Sequence, residues 1–435
     1  MKTVVWIMFL GGAWAACAPP GETLQSTNSA ARPQREFNVR EFGAKGDGTT
    51  LDTIAIQMAL DECGKAGGGV VRVPPGKYLI GPISLRSHTT LWLESGAVLQ
   101  ATTNHQAYMK EPGDWRTAKS SADFVPLISG TRLTNVAIAG KGTIDGAGEV
   151  WWGPAEEARR KTPGYTLPRP RLIILTGCKQ VRITGVTLQN SPSFHLVPTD
   201  CEDVWIEGLT IVAPDSSPNT DGIDPSVSRR VVITNCVIDV GDDNVAIKSG
   251  RKLPGREFAC EDIIVTDCVF RHGHGMSIGS ETVGGVRNVL VKNCVLEGTE
   301  NGLRIKTARG RGGRIENITY TNITLKGCRP YAITITCYYP RIPETDTAQP
   351  VTPETPKISG VRIMNVRGSG TRAVGVIVGL PESAVEDVVL EDVELAGPRG
   401  LTVRHAKNVR LKAVRLSVEQ GEELLTRDAE VVRMQ

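Results

Sequence analysis

Neither sign of charge dominates this chain. Across 435 residues, 50 Lys and Arg face 47 Asp and Glu, leaving a net charge of +3. No basic stripe stands out, which sets nucleic acid aside as a partner. Beyond the N-terminus no run is long and apolar enough to cross a bilayer as a helix. Ten cysteines are present, but no Cys-x-x-Cys pair and no close Cys/His cluster. That argues against a metal site of the zinc type, and no cofactor is expected. Aromatics make up only 5% of the chain, whereas glycine is abundant at 47 residues. Many tight turns between short strands account for the glycine.

The N-terminus is a separate element. Lys2 precedes an apolar run from Val4 to Ala16, followed by Cys17. The run has the length and small-residue exit of a secretory signal, placed at residues 1–17. Trp14-Ala15-Ala16-Cys17 reads equally as a lipoprotein cleavage box, in which Cys17 would carry a lipid anchor. Either reading makes the protein exported: periplasmic, anchored at an outer membrane, or secreted. Residues 18–36 read as a flexible linker, and 37–435 as one catalytic domain, expected to be monomeric.

A repeat carries the fold. Apolar alternation recurs at Val136, Val181, Val204, Val231, Ile263, Val289, Ile318, Val361, Val388 and Val409, mostly 21 to 32 residues apart. Four residues after six of these anchors stands Asn235, Asp267, Asn293, Asn322, Asn365 or Asp392. Period-two alternation indicates strands, and self-similarity at the longer period indicates a solenoid. The expected fold is all-β: a single-stranded parallel β-helix, right-handed by the rule for parallel crossovers. Thr53 to Cys63 reads as a short N-terminal capping helix, with Ile54, Ala55, Met58 and Ala59 as its apolar face and Gly67-Gly68-Gly69 as its stop. Cys236, Cys268 and Cys294 share one repeat offset, and Cys178, Cys201 and Cys260 another. Neighbouring repeats carry Val, Ile or Leu there, so the six read as small apolar fillers of interior stacks.

Four short motifs fall near the same point of successive repeats: Asn219-Thr220-Asp221-Gly222, Gly241-Asp242-Asp243, Gly273-His274-Gly275 and Arg304-Ile305-Lys306. Each alone is weak, because surface turns and strand edges supply such groups freely. Stacked on four coils, they form a stripe about 14 Å long, which suits a polymer lying in a groove. His274 adjoins the acid pair; counting from the following strand matches it to Asp243, from the preceding strand to Asp242. Carboxylates this close cannot all ionise independently, so one proton donor and one base are available. Glycosidic cleavage needs that pair. Arg304 and Lys306 flank the inward-pointing Ile305 and face outward together, as suits the carboxylate of a uronic acid. Asn219, Lys248 and His195 are counted with them as substrate-binding positions. His195 is read as a groove-wall residue, with structural packing as the competing reading.

These motifs, with Glu41-Phe42-Gly43-Ala44-Lys45-Gly46-Asp47-Gly48 near the start, resemble glycoside hydrolase family 28, the polygalacturonase family. The resemblance runs from about Phe37 to the C-terminal coils. It implies an inverting mechanism on a β-helix without a metal, acting on galacturonan. Asp242 would be the general acid, Asp221 and Asp243 would activate water, and His274 would support the acid. Arg304 and Lys306 would hold a galacturonate carboxylate. Tyr339, next to Tyr338, resembles a substrate-stacking tyrosine. Asn244 departs from the cysteine common at its position, which touches packing more than chemistry. The insertions Thr102 to Phe124 and Ala147 to Pro170 would wall one end of the groove and favour release from chain ends. The competing readings are hydrolysis of rhamnogalacturonan or xylogalacturonan, a β-helix polysaccharide lyase, and a non-catalytic carbohydrate-binding solenoid.

Overall fold

The computed structural model describes residues 35–434. The signal segment, Cys17 and most of the linker lie outside the described residues. Glu36, assigned above to the linker, already pairs with Val70 in the first parallel ladder.

The chain winds as a parallel β-helix. Among the described residues, 27 strands pair in one parallel network and four more in a second. The ten anchors stack residue on residue, from Val136 on Val181 through to Val388 on Val409. All ten are buried. Stacking one branched side chain on the next gives each coil its core while the cross-section stays constant.

The residues after the anchors explain how the chain corners. Asn235, Asp267, Asn293, Asn322, Asn365 and Asp392 all take left-handed backbone, with φ between 48° and 55°. Asn and Asp tolerate that region better than other side chains with a Cβ. Their side chains then link coil to coil: Asn293 donates to Asp267 at 3.1 Å, Asn322 to Asn293 at 3.1 Å, and Asn365 to Asn322 at 2.7 Å. Replacing Asn322 with alanine should destabilise the protein by about 1–2 kcal/mol through left-handed strain and lost bonds. Asn322→Gly should cost less, because its backbone strain is relieved. Urea unfolding of the two variants checks this; equal losses would remove the strain argument.

The capping helix, α1, spans Thr53–Lys65 and ends before Gly67, Gly68 and Gly69, all at positive φ. Its buried face differs from the expected one. Ile56, Ala59, Leu60 and Cys63 are inside, while Ile54 is 74% and Met58 49% exposed. The buried set falls at i, i+3, i+4 and i+7, which makes one continuous helical stripe; Ile54 and Met58 lie off it. The helix packs on the strands Glu36–Asn38, Gly69–Val73, Ile83–Ser84 and Thr89–Leu93.

The two insertions pack on each other. The first holds three 3-10 turns, and the second forms α2, Glu149–Lys161. The rings of His105, Tyr108, Trp115 and Phe124 surround Trp151 at centroid distances of 4.3 to 6.0 Å. Trp152 Nε1 donates to the Ser191 carbonyl at 3.1 Å, tying α2 to the coils. Cys236, Cys268 and Cys294 are buried, each donating its thiol to the carbonyl two residues back.

Candidate active site

The four motifs meet on neighbouring coils. Val245 pairs with Met276 and Met276 with Leu303, while Ile223 bridges to Val245. Two residues before Ile223, Val245 and Met276 come Asp221, Asp243 and His274. Both sequence counts hold in part. His274 is level with Asp243, but its Nδ1 meets Asp242 Oδ1 at 2.9 Å and its backbone N–H donates to the Asp242 carbonyl.

Each acid has a distinct environment. Asp243 is 2% exposed and holds two cations: Arg304 Nη2 donates to Oδ1, and Lys306 Nζ to Oδ2 at 2.8 Å. Ser277 Oγ adds a bond to Oδ1 at 2.8 Å. Burial pushes its carboxyl up, but Lys306 and Arg304 outweigh that and hold it far below the usual range. Asp242 accepts at Oδ1 from the Asp243 N–H at 2.8 Å and at Oδ2 from Asn219 Nδ2 at 3.3 Å. Burial again opposes ionisation, and the bond to His274 overcomes it, leaving Asp242 below its usual value. His274 also meets Glu300 through Nε2. Burial works against its charge, yet two carboxylate partners raise it to about 10.

Asp221 is the contrary case. It is 2% exposed, and burial, followed by the charge of Asp224, pushes its carboxyl well above the usual range. Lys248 serves both acids, at 2.9 Å from Asp221 Oδ2 and 2.8 Å from Asp224 Oδ2. Two buried carboxylates share one ammonium, which leaves the proton affinity of Asp221 raised. The acids are thus pushed apart, Asp221 upward and Asp242 and Asp243 downward, by burial and by the partners around them. Asp221 Oδ1 and Asp224 Oδ1 are buried without a hydrogen-bond partner.

Two sequence assignments need correction. His195 is fully buried: Nδ1 donates to the Asp221 carbonyl at 2.9 Å and Nε2 accepts from the Ser191 N–H at 3.3 Å. Burial lowers it to about 4, so it is a neutral prop beneath the Asp221 turn, with no face on the groove. Lys248 is committed to Asp221 and Asp224 and lies 3.9 Å above the Phe194 ring, so it serves the acids rather than a ligand. Lys248 sits at the offset of Lys306, whereas His195 lies one residue past the Asp221 row, level with Gly222 and the buried Asn244. Of the two tyrosines, Tyr338 is buried and donates to Asp346 at 2.6 Å. Tyr339 is 38% exposed, with Lys306 Nζ 5.2 Å from its ring centroid, which leaves it facing the site.

Asn244 is fully buried. It donates to the carbonyls of Ile238 and His272 and accepts from the Gly275 N–H, so it pins the acid-pair turn to the His274 turn. Ligand atoms of Asp242, Asp243 and His274 lie within 4.8 Å of one another, a spacing that also suits a metal. Both Asp243 oxygens are already held by cations and His274 Nδ1 by Asp242, so this donor set fits proton chemistry better than coordination.

Three further residues complete the site. Asp224 balances Lys248, Glu300 stands behind His274, and Arg169 bonds Asn219 Oδ1 at 2.8 Å. Asp224 lies three after Asp221 and Glu300 four before Arg304, close enough to the motifs to have been considered. Arg169 arrives from an insertion, where no repeat offset marks it.

The sequence profile of the glycosyl hydrolases family 28 matches residues 63–417. The chain belongs to that family. A probable polygalacturonase of Vitis vinifera is 38% identical over 299 residues, 66% of this chain and 60% of the relative. An endo-polygalacturonase of Pectobacterium carotovorum subsp. carotovorum is 36% identical over 306 residues, 68% of this chain and 74% of the relative. The alignment therefore spans less than two thirds of the grape protein's length. The crystal structure of a hyperthermoactive exopolygalacturonase from Thermotoga maritima superposes with a TM-score of 0.75 at 29% identity, covering 88% of this chain and 92% of that one. As a family 28 member the protein is a glycoside hydrolase, and the parallel β-helix stands as expected. Among the described residues no helix is long and apolar enough to cross a membrane.

Proposed function

We propose that the protein hydrolyses α-1,4-galacturonosidic bonds of polygalacturonate with inversion at the anomeric carbon. The observation that carries this reading is the division of the acids on neighbouring coils. Asp221 keeps a buried oxygen unpartnered, Asp242 is bonded to a charged histidine, and Arg304 and Lys306 stand beside them. Asp242 protonates the glycosidic oxygen as the bond to C1 breaks. Water attacks C1 from the opposite face and gives its proton to a carboxylate. Asp221 suits that second task better than Asp243, because its proton affinity is raised whereas Asp243 is neutralised by two cations.

Without substrate, His274 holds Asp242 ionised. A galacturonate carboxylate entering beside Arg304 and Lys306 brings negative charge, which raises the proton affinity of nearby acids. Asp242 then takes up its proton as substrate binds, and activity is favoured below neutral pH. Tyr339 faces a sugar ring. Rhamnogalacturonan and xylogalacturonan are the alternative substrates, and a lyase reading would require a chelator-sensitive rise in ultraviolet absorbance.

The joined insertions, pinned by Trp151, support action from chain ends. The protein is further proposed to act as a monomer after export, with Cys17 either removed with the signal or lipidated. Digestion of long polygalacturonate and of rhamnogalacturonan, followed by product sizing and proton NMR, tests the proposal. The expected result is β-configured monomer or dimer from polygalacturonate alone. A ladder of oligomers in the first minutes would refute exo action, and an α-configured first product would refute inversion.

A further inference from the structure

Arg169 poses a question that the proposed mechanism leaves open. It is 2% exposed, on the segment that leads from α2 to the strand Ile173–Thr176. Nε donates to the Leu167 carbonyl at 3.2 Å, Nη1 to the Pro218 carbonyl at 3.0 Å and Nη2 to Asn219 Oδ1 at 2.8 Å. Among the described residues, all three bonds end on neutral oxygens. The other cations of the site are each bonded to carboxylates: Lys248 to Asp221 and Asp224, Arg304 and Lys306 to Asp243, His274 to Asp242 and Glu300. A buried guanidinium without a bonded counter-charge is costly to keep. Burial lowers Arg169 only to about 10, so it stays charged at neutral pH, and the acids that feel it are Asp242 and Asp221.

We infer that Arg169 is a positioning residue for the acid: it locks the Asn219 amide so that Asn219 donates to Asp242, and it places an unneutralised positive charge behind that carboxylate. The amide has one acceptor and two donors. With Oδ1 claimed by Nη2, its remaining hydrogen-bonding group is NH₂, which meets Asp242 Oδ2 at 3.3 Å. Donation from Asn219 and the field of Arg169 both favour the carboxylate that Asp242 becomes once its proton has gone to the leaving oxygen. The groups facing Asp242 are Asn219, Asp221, Asp243, His274 backed by Glu300, Arg304, Lys306 and Arg169. Thus the 147–170 insertion delivers part of the acid's setting as well as a wall.

The inference rests on Asp242 being the general acid, so the test carries Asp242→Asn as its own control. Steady-state hydrolysis of polygalacturonate is followed against pH for Arg169→Met, Arg169→Lys and Asn219→Gly. Glycine keeps the φ of 55° accessible while removing the amide. Arg169→Met should lose roughly 10²-fold in kcat, with KM changed less than kcat. The alkaline limb of its kcat/KM profile should move to higher pH. Arg169→Lys, which keeps the charge but not the fork, should lose less kcat and hold the limb near its original place. Asn219→Gly should lower kcat and move the limb upward.

An unmoved alkaline limb in both Arg169→Met and Asn219→Gly overturns the inference, whatever their kcat. So does an Arg169→Lys protein indistinguishable from Arg169→Met. Should Arg169→Met fail to fold, Asn219→Gly and Arg169→Lys still decide. Retained activity in Asp242→Asn would instead sink the assignment of the acid, an outcome separate from these.

Discussion

Asparagine at position 242 is expected to lower kcat on polygalacturonate by about 10²–10⁴-fold while KM stays nearly constant. The change removes one ionisable proton and keeps the size of the side chain. Asn219, the Asp243 N–H and His274 still have a partner to face. The loss therefore belongs to proton donation, and reducing-sugar release measures it. Full activity in the variant would transfer the acid to another group. The sharpest rival is Asp221, whose carboxyl already lies well above its usual value through burial and the neighbouring Asp224.

Asparagine at position 243 should act on stability as well. It leaves Arg304 and Lys306, 8% and 5% exposed, without the anion that both bind. Breaking a buried ion pair from one side destabilises by about 3–5 kcal/mol, read here from denaturant unfolding at pH 7. The pH dependence has a definite sign. The folded-state carboxyl of Asp243 is held far below its ordinary value of 3.8. Its contribution is fully present above that ordinary value and is lost only as pH falls through the depressed one. The gap between wild type and variant should be unchanged from pH 7 to about pH 5 and close in strong acid. A gap that closes between pH 7 and pH 5 would show that Asp243 is not held by its two cations.

The sequence disclosed most of the architecture because a solenoid writes its core many times over. Val231, Ile263, Val289 and Ile318 each mark one coil, and the Asn or Asp four residues on marks its corner, so chance alternation is averaged out. The stripe of acids and histidine was legible for the same reason, since Asp221, Asp243 and His274 share an offset. Residues that occur once were harder to read. The buried face of α1 was misjudged because the short helix offers two overlapping apolar sets, and packing selects the one containing Leu60 and Cys63. Lys248 stands level with Lys306, but Asp221 and Asp224 claim its ammonium, and His195 lies one residue past the acid row, level with the buried Asn244. Arg169 reaches Asn219 across 50 residues by way of an insertion, and nothing in its own neighbourhood announces that contact.

The insertions also show how a repetitive scaffold changes its chemistry without changing its coils. Trp151 and Trp152 fix α2 to the first insertion and to the Ser191 turn, and the returning chain then passes Arg169 behind Asn219. The stripe of acids belongs to the coils, whereas the charge behind it comes from outside the repeat.

Nine cysteines are buried as free thiols in the described residues. Among the described residues the coils close by side-chain stacking, without a covalent staple. The described coils are therefore held by burial, with Cys236, Cys268 and Cys294 standing where other coils place an aliphatic side chain.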